Sequence, residues 1–166
     1  MIILGIDPGL RCTGYGVVAK RDGAVTLVEC GVIRTESKSP LVDRLRDIYH
    51  GIGEVLVRHA IEEAAIERVF HGKNAATSLL LGHARAAAML AATLREIPVA
   101  EYSPTQIKTA VAGTGRATKD QIQYMVQQLL RLRTLPKPAD AADGVAVAMC
   151  HCSVGGVRAK LAARSS

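Results

Sequence analysis

From Ile2 to Ile6 the chain carries no polar side chain, and Asp7, Pro8 and Gly9 follow directly. An unrelieved apolar run of this length predicts a central strand buried on both faces. Pro8-Gly9 ends it, and Thr13-Gly14-Tyr15-Gly16-Val17-Val18 begins a second strand. Arg21-Asp22-Gly23 reads as a hairpin turn, with a third strand from Val25 to Arg34. Three strands joined this closely run antiparallel. From Leu41 to Arg58 the period changes. Val42, Leu45, Ile48, Tyr49, Ile52, Val55 and Leu56 recur at helical spacing, opposite Asp43, Arg44, Arg46, Asp47 and Glu54.

A fourth strand is predicted from Ala64 to Phe70, reached by a crossover and so parallel to the first. After a loop at 71–74, residues Ala75 to Arg95 are nearly all Ala and Leu, a strong helix with few polar positions (Thr77, Ser78, His83, Arg85, Thr93). Pro98 to Tyr102 is a short fifth strand. Ser103-Pro104 caps a helix through Val111. The glycine-rich basic loop Gly113-Thr114-Gly115-Arg116-Ala117 leads into a helix from Thr118 to Leu132. Pro136 and Pro138 precede a last helix from Asp140 to about Ser153, which Gly155-Gly156 is expected to break. The order implies an α/β fold: a five-stranded mixed sheet with helices on both faces. It is organised as one domain over 1–154, and 155–166 is expected to be a basic, disordered tail.

Composition narrows the function. A chain of 166 residues, 49% hydrophobic, buries a sizeable core. Its net charge of +6 favours a polyanionic partner. The amino terminus lacks a basic targeting region, and no apolar stretch is expected to reach the ~18 residues of a membrane span. Cys12, Cys30, Cys150 and Cys152 fit a reduced, cytoplasmic protein, with Cys150 and Cys152 as small core residues.

Four acids stand where acids are costly. Asp7 tips the buried strand, where it either bonds the Gly9 amide as a turn residue or takes part in chemistry. Glu67 lies in an apolar strand, and points to solvent, pairs with Arg68 or joins a site; Glu62 and Glu63 are expected to be solvated. Asp140 and Asp143 share a face at i and i+3 of an apolar helix, which suits either capping of the first turn or a cation. If the first and fourth strands are parallel neighbours, Asp7 and Glu67 meet at their carboxyl ends, and the last helix can bring Asp140 and Asp143 there. Carboxylates so crowded need a cation to ionise together. Oxygen donors select Mg²⁺ or Mn²⁺, and two such ions form the clamp used in phosphodiester hydrolysis.

The motifs Gly5-Ile6-Asp7-Pro8-Gly9, Thr13-Gly14-Tyr15-Gly16, Ala65-Ile66-Glu67-Arg68-Val69-Phe70, Lys73-Asn74, Gln106-Ile107-Lys108 and Ala139-Asp140-Ala141-Ala142-Asp143 occur in that order. Together they resemble the RuvC family of Holliday-junction resolvases, from about Ile2 to His151. The resemblance implies a ribonuclease-H-like fold and Mg²⁺-dependent, symmetrical nicking of four-way DNA junctions by a homodimer. It implies two ions per subunit on Asp7, Glu67, Asp140 and Asp143, with Mn²⁺ able to substitute. It places Lys108 and Lys119 in the DNA-contacting and catalytic surroundings, and Phe70 on a base near the crossover. It also implies cooperation with a branch-migration motor of the RuvA and RuvB type. Some relatives carry His where this chain has Asp140.

Read without the resemblance, Lys108 and Lys119 are solvated helix charges or phosphate contacts. Arg116 and Lys119 flank a loop suited to phosphate approach, and Lys73 lies in a polar loop beside Phe70. Phe70 itself either closes the core or stacks on an unpaired base. The alternatives in function are a ribonuclease-H-like nuclease on another nucleic acid and a non-catalytic junction-binding protein. An actin-like sugar kinase would need a second such domain. Finally, Leu79, Leu80, Leu81, Met89 and Leu90 would leave an apolar patch on the Ala75–Arg95 helix, so that helix is expected to form a two-fold dimer interface.

Overall fold

The structure is a computed structural model that describes residues 1–68 and 74–162, with side chains described through Gly155. Strands β1 (Ile2–Asp7), β2 (Cys12–Arg21) and β3 (Ala24–Arg34) form an antiparallel meander. Asp22 and Gly23 both take positive φ in the β2–β3 turn, the conformation a tight hairpin needs. Helix α1 (Leu41–His59) crosses to β4 (Glu63–Glu67), which lies parallel to β1. Helix α2 (Ala75–Thr93) leads to β5 (Val99–Tyr102), parallel to β4. Helices α3 (Pro104–Ala112), α4 (Lys119–Leu129) and α5 (Ala139–Ala162) complete the chain. The sheet order is β3-β2-β1-β4-β5. The expected five-stranded mixed sheet is therefore present, with β1 at its centre.

Two cores flank the sheet. Helices α1 and α2 cover one face, where Ile48, Ile52 and Leu56 meet Leu4, Ile6 and Ile66. Helix α5 covers the other, flanked by α3 and α4. It lies unusually close to the sheet because glycines line its bed. A Cβ at Gly14 would overlap the Asp140 carbonyl oxygen, and one at Gly5 would overlap the backbone at Gly144 and Ala148. Gly144 returns the accommodation: a Cβ there would stand 2.5 Å from the Tyr15 backbone. The glycines of the first two strands thus set the height at which the amino end of α5 rides over β1 and β2.

Local signals account for the helix starts. Ser103 and Thr118 both form capping boxes, with Gln106 and Gln121 respectively, and Asn74 accepts the Ala76 and Thr77 amides at the start of α2. Two expectations need correction. Helix α5 continues through Gly155-Gly156 to Ala162, because an interior glycine costs only ~1 kcal/mol against alanine, too little to stop a helix by itself. Helix α2 is, by length and composition alone, apolar enough to cross a membrane. Its Ala84, Ala87, Ala88, Ala91 and Ala92 are instead buried in the α1 side core, and Arg85 pairs with Glu101 of β5.

Candidate active site

β1 and β4 run in parallel register, Ile6 opposite Ile66, so Asp7 and Glu67 emerge from adjacent strands at the same sheet end. The amino end of α5 lies over this end, held down at Gly14 and Gly16. Asp7, Glu67 and Asp143 line a cleft of about 240 Å³ with Lys108, Lys119, Ile107 and Ile122. Asp140 stands at its rim, half in solvent. The four acids are thus brought to one place by three elements that are distant in sequence.

Electrostatics shows how tightly they crowd. Burial, then the neighbouring charges of Glu67 and Asp143, push the Asp7 carboxyl up to about 7. Burial and Asp143 push Glu67 up to about 7 as well, against the pull of Lys108. The acids crowded around them thus favour the protonated forms of Asp7 and Glu67. Lys119 offsets part of this: its Nζ lies 2.6 Å from Asp143 Oδ2 and donates to Asp140 Oδ1 at 3.4 Å. These contacts raise the lysine's own pKa in return.

No group of three metal-binding side chains is already gathered among the described residues. The donor set nevertheless fits a hard divalent cation. It consists of carboxylate oxygens, its two most buried members resist ionising beside each other, and an ammonium already stands between two of them. A divalent ion would supply the missing positive charge that holds all four ionised.

Three expectations change. Asp7 is not the partner of the Gly9 amide, which faces the Thr13 hydroxyl at 3.4 Å, while that hydroxyl donates to the Gly9 carbonyl. The turn is thus closed by Thr13, leaving Asp7 available to the cleft. Glu63 is not simply solvated: it receives His151 Nε2 at 2.5 Å, and Tyr102 Oη bonds His151 Nδ1 at 2.8 Å. Nor is Glu62, which accepts the Ile2 amide. The near pairing of these acids across β1 and α5 depends on the fold, so strand position alone could not reveal it.

Lys108 and Lys119 both line the cleft. Arg116 is exposed on the α3–α4 loop and is not part of the cleft lining. Phe70 and Lys73 lie outside the described residues. The sequence reading missed Cys12, whose thiol is pushed up to about 11, by burial first and then by the neighbouring Asp140. Its position just past the Pro8-Gly9 turn was the available signal.

A family described as "Crossover junction endodeoxyribonuclease RuvC" matches residues 3–151. The chain is 55% identical over 150 residues to the protein of that name from Shewanella sp. (strain W3-18-1), covering 90% of this chain and 86% of the relative. It is similar to the structure of Thermus thermophilus RuvC, at 34% identity and a TM-score of 0.85 over 95% of this chain and 96% of that one. The T. thermophilus RuvC complex with a Holliday junction substrate aligns with a TM-score of 0.89, at the same identity and coverage. The yeast mitochondrial Holliday junction resolvase Ydc2, at 14% identity and a TM-score of 0.66 over 91% of this chain and 77% of that one, shares the fold.

Proposed function

The chain belongs to the RuvC family of crossover junction endodeoxyribonucleases, and we propose that its four clustered acids cut junction strands with Mg²⁺, two ions per subunit, in a homodimer. The enzyme is an endonuclease that resolves four-way DNA junctions in recombination and repair. Nucleases of this family depend on a metal. The observation that carries the site assignment is the meeting of Asp7 and Glu67 on parallel neighbouring strands beneath Asp143.

Asp7, Glu67, Asp140 and Asp143 would hold the ions, which when bound activate water and neutralise the leaving oxygen. Mn²⁺ would substitute for Mg²⁺. The remaining work falls to the chain. Lys119 orients Asp143 and Asp140 and limits their repulsion. Lys108, beside Glu67, faces the incoming phosphodiester, and the apolar wall of Ile107 and Ile122 keeps bulk water out of the cleft. Arg116 and Lys73 add phosphate contacts, and Phe70 stacks on a base opened at the crossover.

The dimer would form through α2. Leu79 and Leu90 are 63% and 51% exposed, and Ala86 and Gly82 lie between them on the same side. Nothing stands within 4 Å of a Cβ placed at Gly82. Small residues between leucines let two helices approach closely about a two-fold axis. Two copies would then present two clefts to strands of like polarity, giving paired nicks. The enzyme works in the cytoplasm and cooperates with a branch-migration motor of the RuvA and RuvB type.

The test is a synthetic four-way junction incubated with the protein in Mg²⁺, Mn²⁺, Ca²⁺ or chelator, with the nicks mapped. Symmetrical paired nicks in Mg²⁺ and Mn²⁺, and binding without nicking in Ca²⁺, are expected. Nicking in excess chelator would overturn the metal assignment.

A further inference from the structure

On the β3 side of the acid cleft lies a second group of cations. Arg11 follows the turn after Asp7, and Arg34 is the register partner of Cys12 across β2 and β3. Lys38 lies in the next loop, and all three side chains are exposed. Among the described residues, none of the three forms an ion pair. Glu36 is the nearby acid; it accepts the Lys38 amide.

The segment that carries them is built. Thr35 donates its hydroxyl to the Leu10 carbonyl at 2.5 Å and its amide to the Arg11 carbonyl at 3.2 Å. Arg44 reaches in from α1, donating Nε to Thr35 Oγ1 at 2.9 Å and Nη2 to the Leu10 carbonyl at 3.1 Å. Arg11 Nε donates to Ser37 Oγ at 3.0 Å. The two loops are thereby locked together at the same sheet end as the acids. Arg34 pairs with Cys12 and Asp7 with Gly14 in the strand register, so the cation and the acid stand at the same end of the sheet.

We propose that Arg11, Arg34 and Lys38 form a second phosphate-binding bank for the junction, across the acids from Lys108 and Lys119. The sheet order sets the span. From β3, which carries Arg34, to β4, which carries Glu67, is three strand steps, about 14 Å. A DNA strand covers that in about four nucleotides, at ~3.4 Å each. A strand whose scissile phosphate sits among the acids therefore carries phosphates to Lys108 on one side and to Arg34 on the other. Exposed, unpaired cations on a rigid segment suit this: they release counterions without first breaking an internal salt bridge.

This inference rests on the junction-resolving reading. The experiment measures four-way junction binding in Ca²⁺ as salt rises from about 50 to 200 mM, the range over which phosphate contacts tell. The double change Arg11→Gln with Arg34→Gln should reduce the slope of log K against log salt by about 2, at ~0.9 per contact, and weaken binding by about tenfold or more. Arg34→Lys should keep most of the slope. Ser37→Ala removes the Arg11 hydrogen bond but no charge, and should leave the slope unchanged. Should the double variant not fold, Arg34→Gln alone suffices, since this exposed side chain makes no hydrogen bond within the described residues; its slope should fall by about 0.9. A wild-type slope in the glutamine variants, or the full loss reproduced by Ser37→Ala, overturns the second bank. A wild-type chain that does not bind the junction overturns the resolvase reading as well.

Discussion

Helices α2 and α5 are almost equally apolar along their sequences, yet the fold treats them differently. In α5, Ala141, Ala142, Val145, Ala146, Val147 and Ala148 are all at most 1% exposed, because the helix lies between the sheet, α3 and α4. In α2 an alanine face is buried against α1 and the sheet, while Leu79, Leu80 and Leu90 stay exposed. The difference comes from what packs around each helix. Under α5 the strands present glycines, so the backbone descends until Asp140 and Asp143 reach Asp7. Helix α2 packs mainly against α1 and has no helix on its outer side among the described residues, so its outer leucines are uncovered. An apolar helix face stays exposed where no other element packs on it, and such a face is available to a second copy.

The largest expected effect separates the chemistry of the α5 side from its packing. Asp7→Asn keeps shape but removes a carboxylate from the proposed metal site, so nicking should fall by on the order of 10³-fold with junction binding kept. The same change should alter stability with a definite sign. The folded Asp7 carboxyl is raised from 3.8 to about 7, so the metal-free folded state binds its proton more tightly than the unfolded chain. Its contribution to stability is therefore greatest below about pH 4 and is lost as pH rises towards 7. Asp7→Asn should accordingly melt higher than wild type at pH 8 without metal, and gain less from added Mg²⁺; a lower melting point there would contradict the crowding of the acids.

Next comes the bed itself. Gly14→Ala sets a methyl group against the Asp140 carbonyl, an overpacking worth about 1–3 kcal/mol. At ~2–4 °C per kcal/mol for a chain of this size, melting should fall by about 2–12 °C. Activity should drop by about 10²-fold in the folded protein, because the α5 acids are displaced. Calorimetry and single-turnover nicking check both; a variant as active as wild type would show that the height of α5 does not set the site.

The α2 side should respond in the opposite way. Ala86→Glu places a charge at the centre of the exposed stripe without touching the monomer core. Sedimentation should show monomers at micromolar concentration, and paired nicks should give way to rare single ones, with little change in melting. A wild-type monomer making paired nicks would refute the interface. The smallest effect belongs to Gly82→Ala, which meets open space in the monomer. It should add up to ~1 kcal/mol of helix propensity to the monomer while weakening dimerisation; sedimentation and melting of the same samples separate the two.

Much of this was legible in the chain. The unbroken run Ile2–Ile6, the Asp22-Gly23 turn and the 3.6-residue pattern of α1 each declare their element through local sterics and burial. The acids also stood out, because a carboxylate in an apolar strand or on an apolar helix is costly unless something neutralises it. Other features were hidden. Thr13 rather than Asp7 closes the Gly9 turn, and Glu63 receives His151 from α5. The first turns on which of two nearby side chains faces Gly9, and the second joins residues 88 positions apart in the chain.

By itself the sequence determined the kinds of element, the parallel placing of β4 beside β1 and the four acids, because these follow from local conformational preference and the cost of burying charge. Only the tertiary structure decided how close α5 lies, which lysine stands among the acids and where the Arg11, Arg34 and Lys38 cations sit. Those depend on distances between segments far apart in the chain, and such distances are set by packing, which acts on the folded whole rather than on any one stretch.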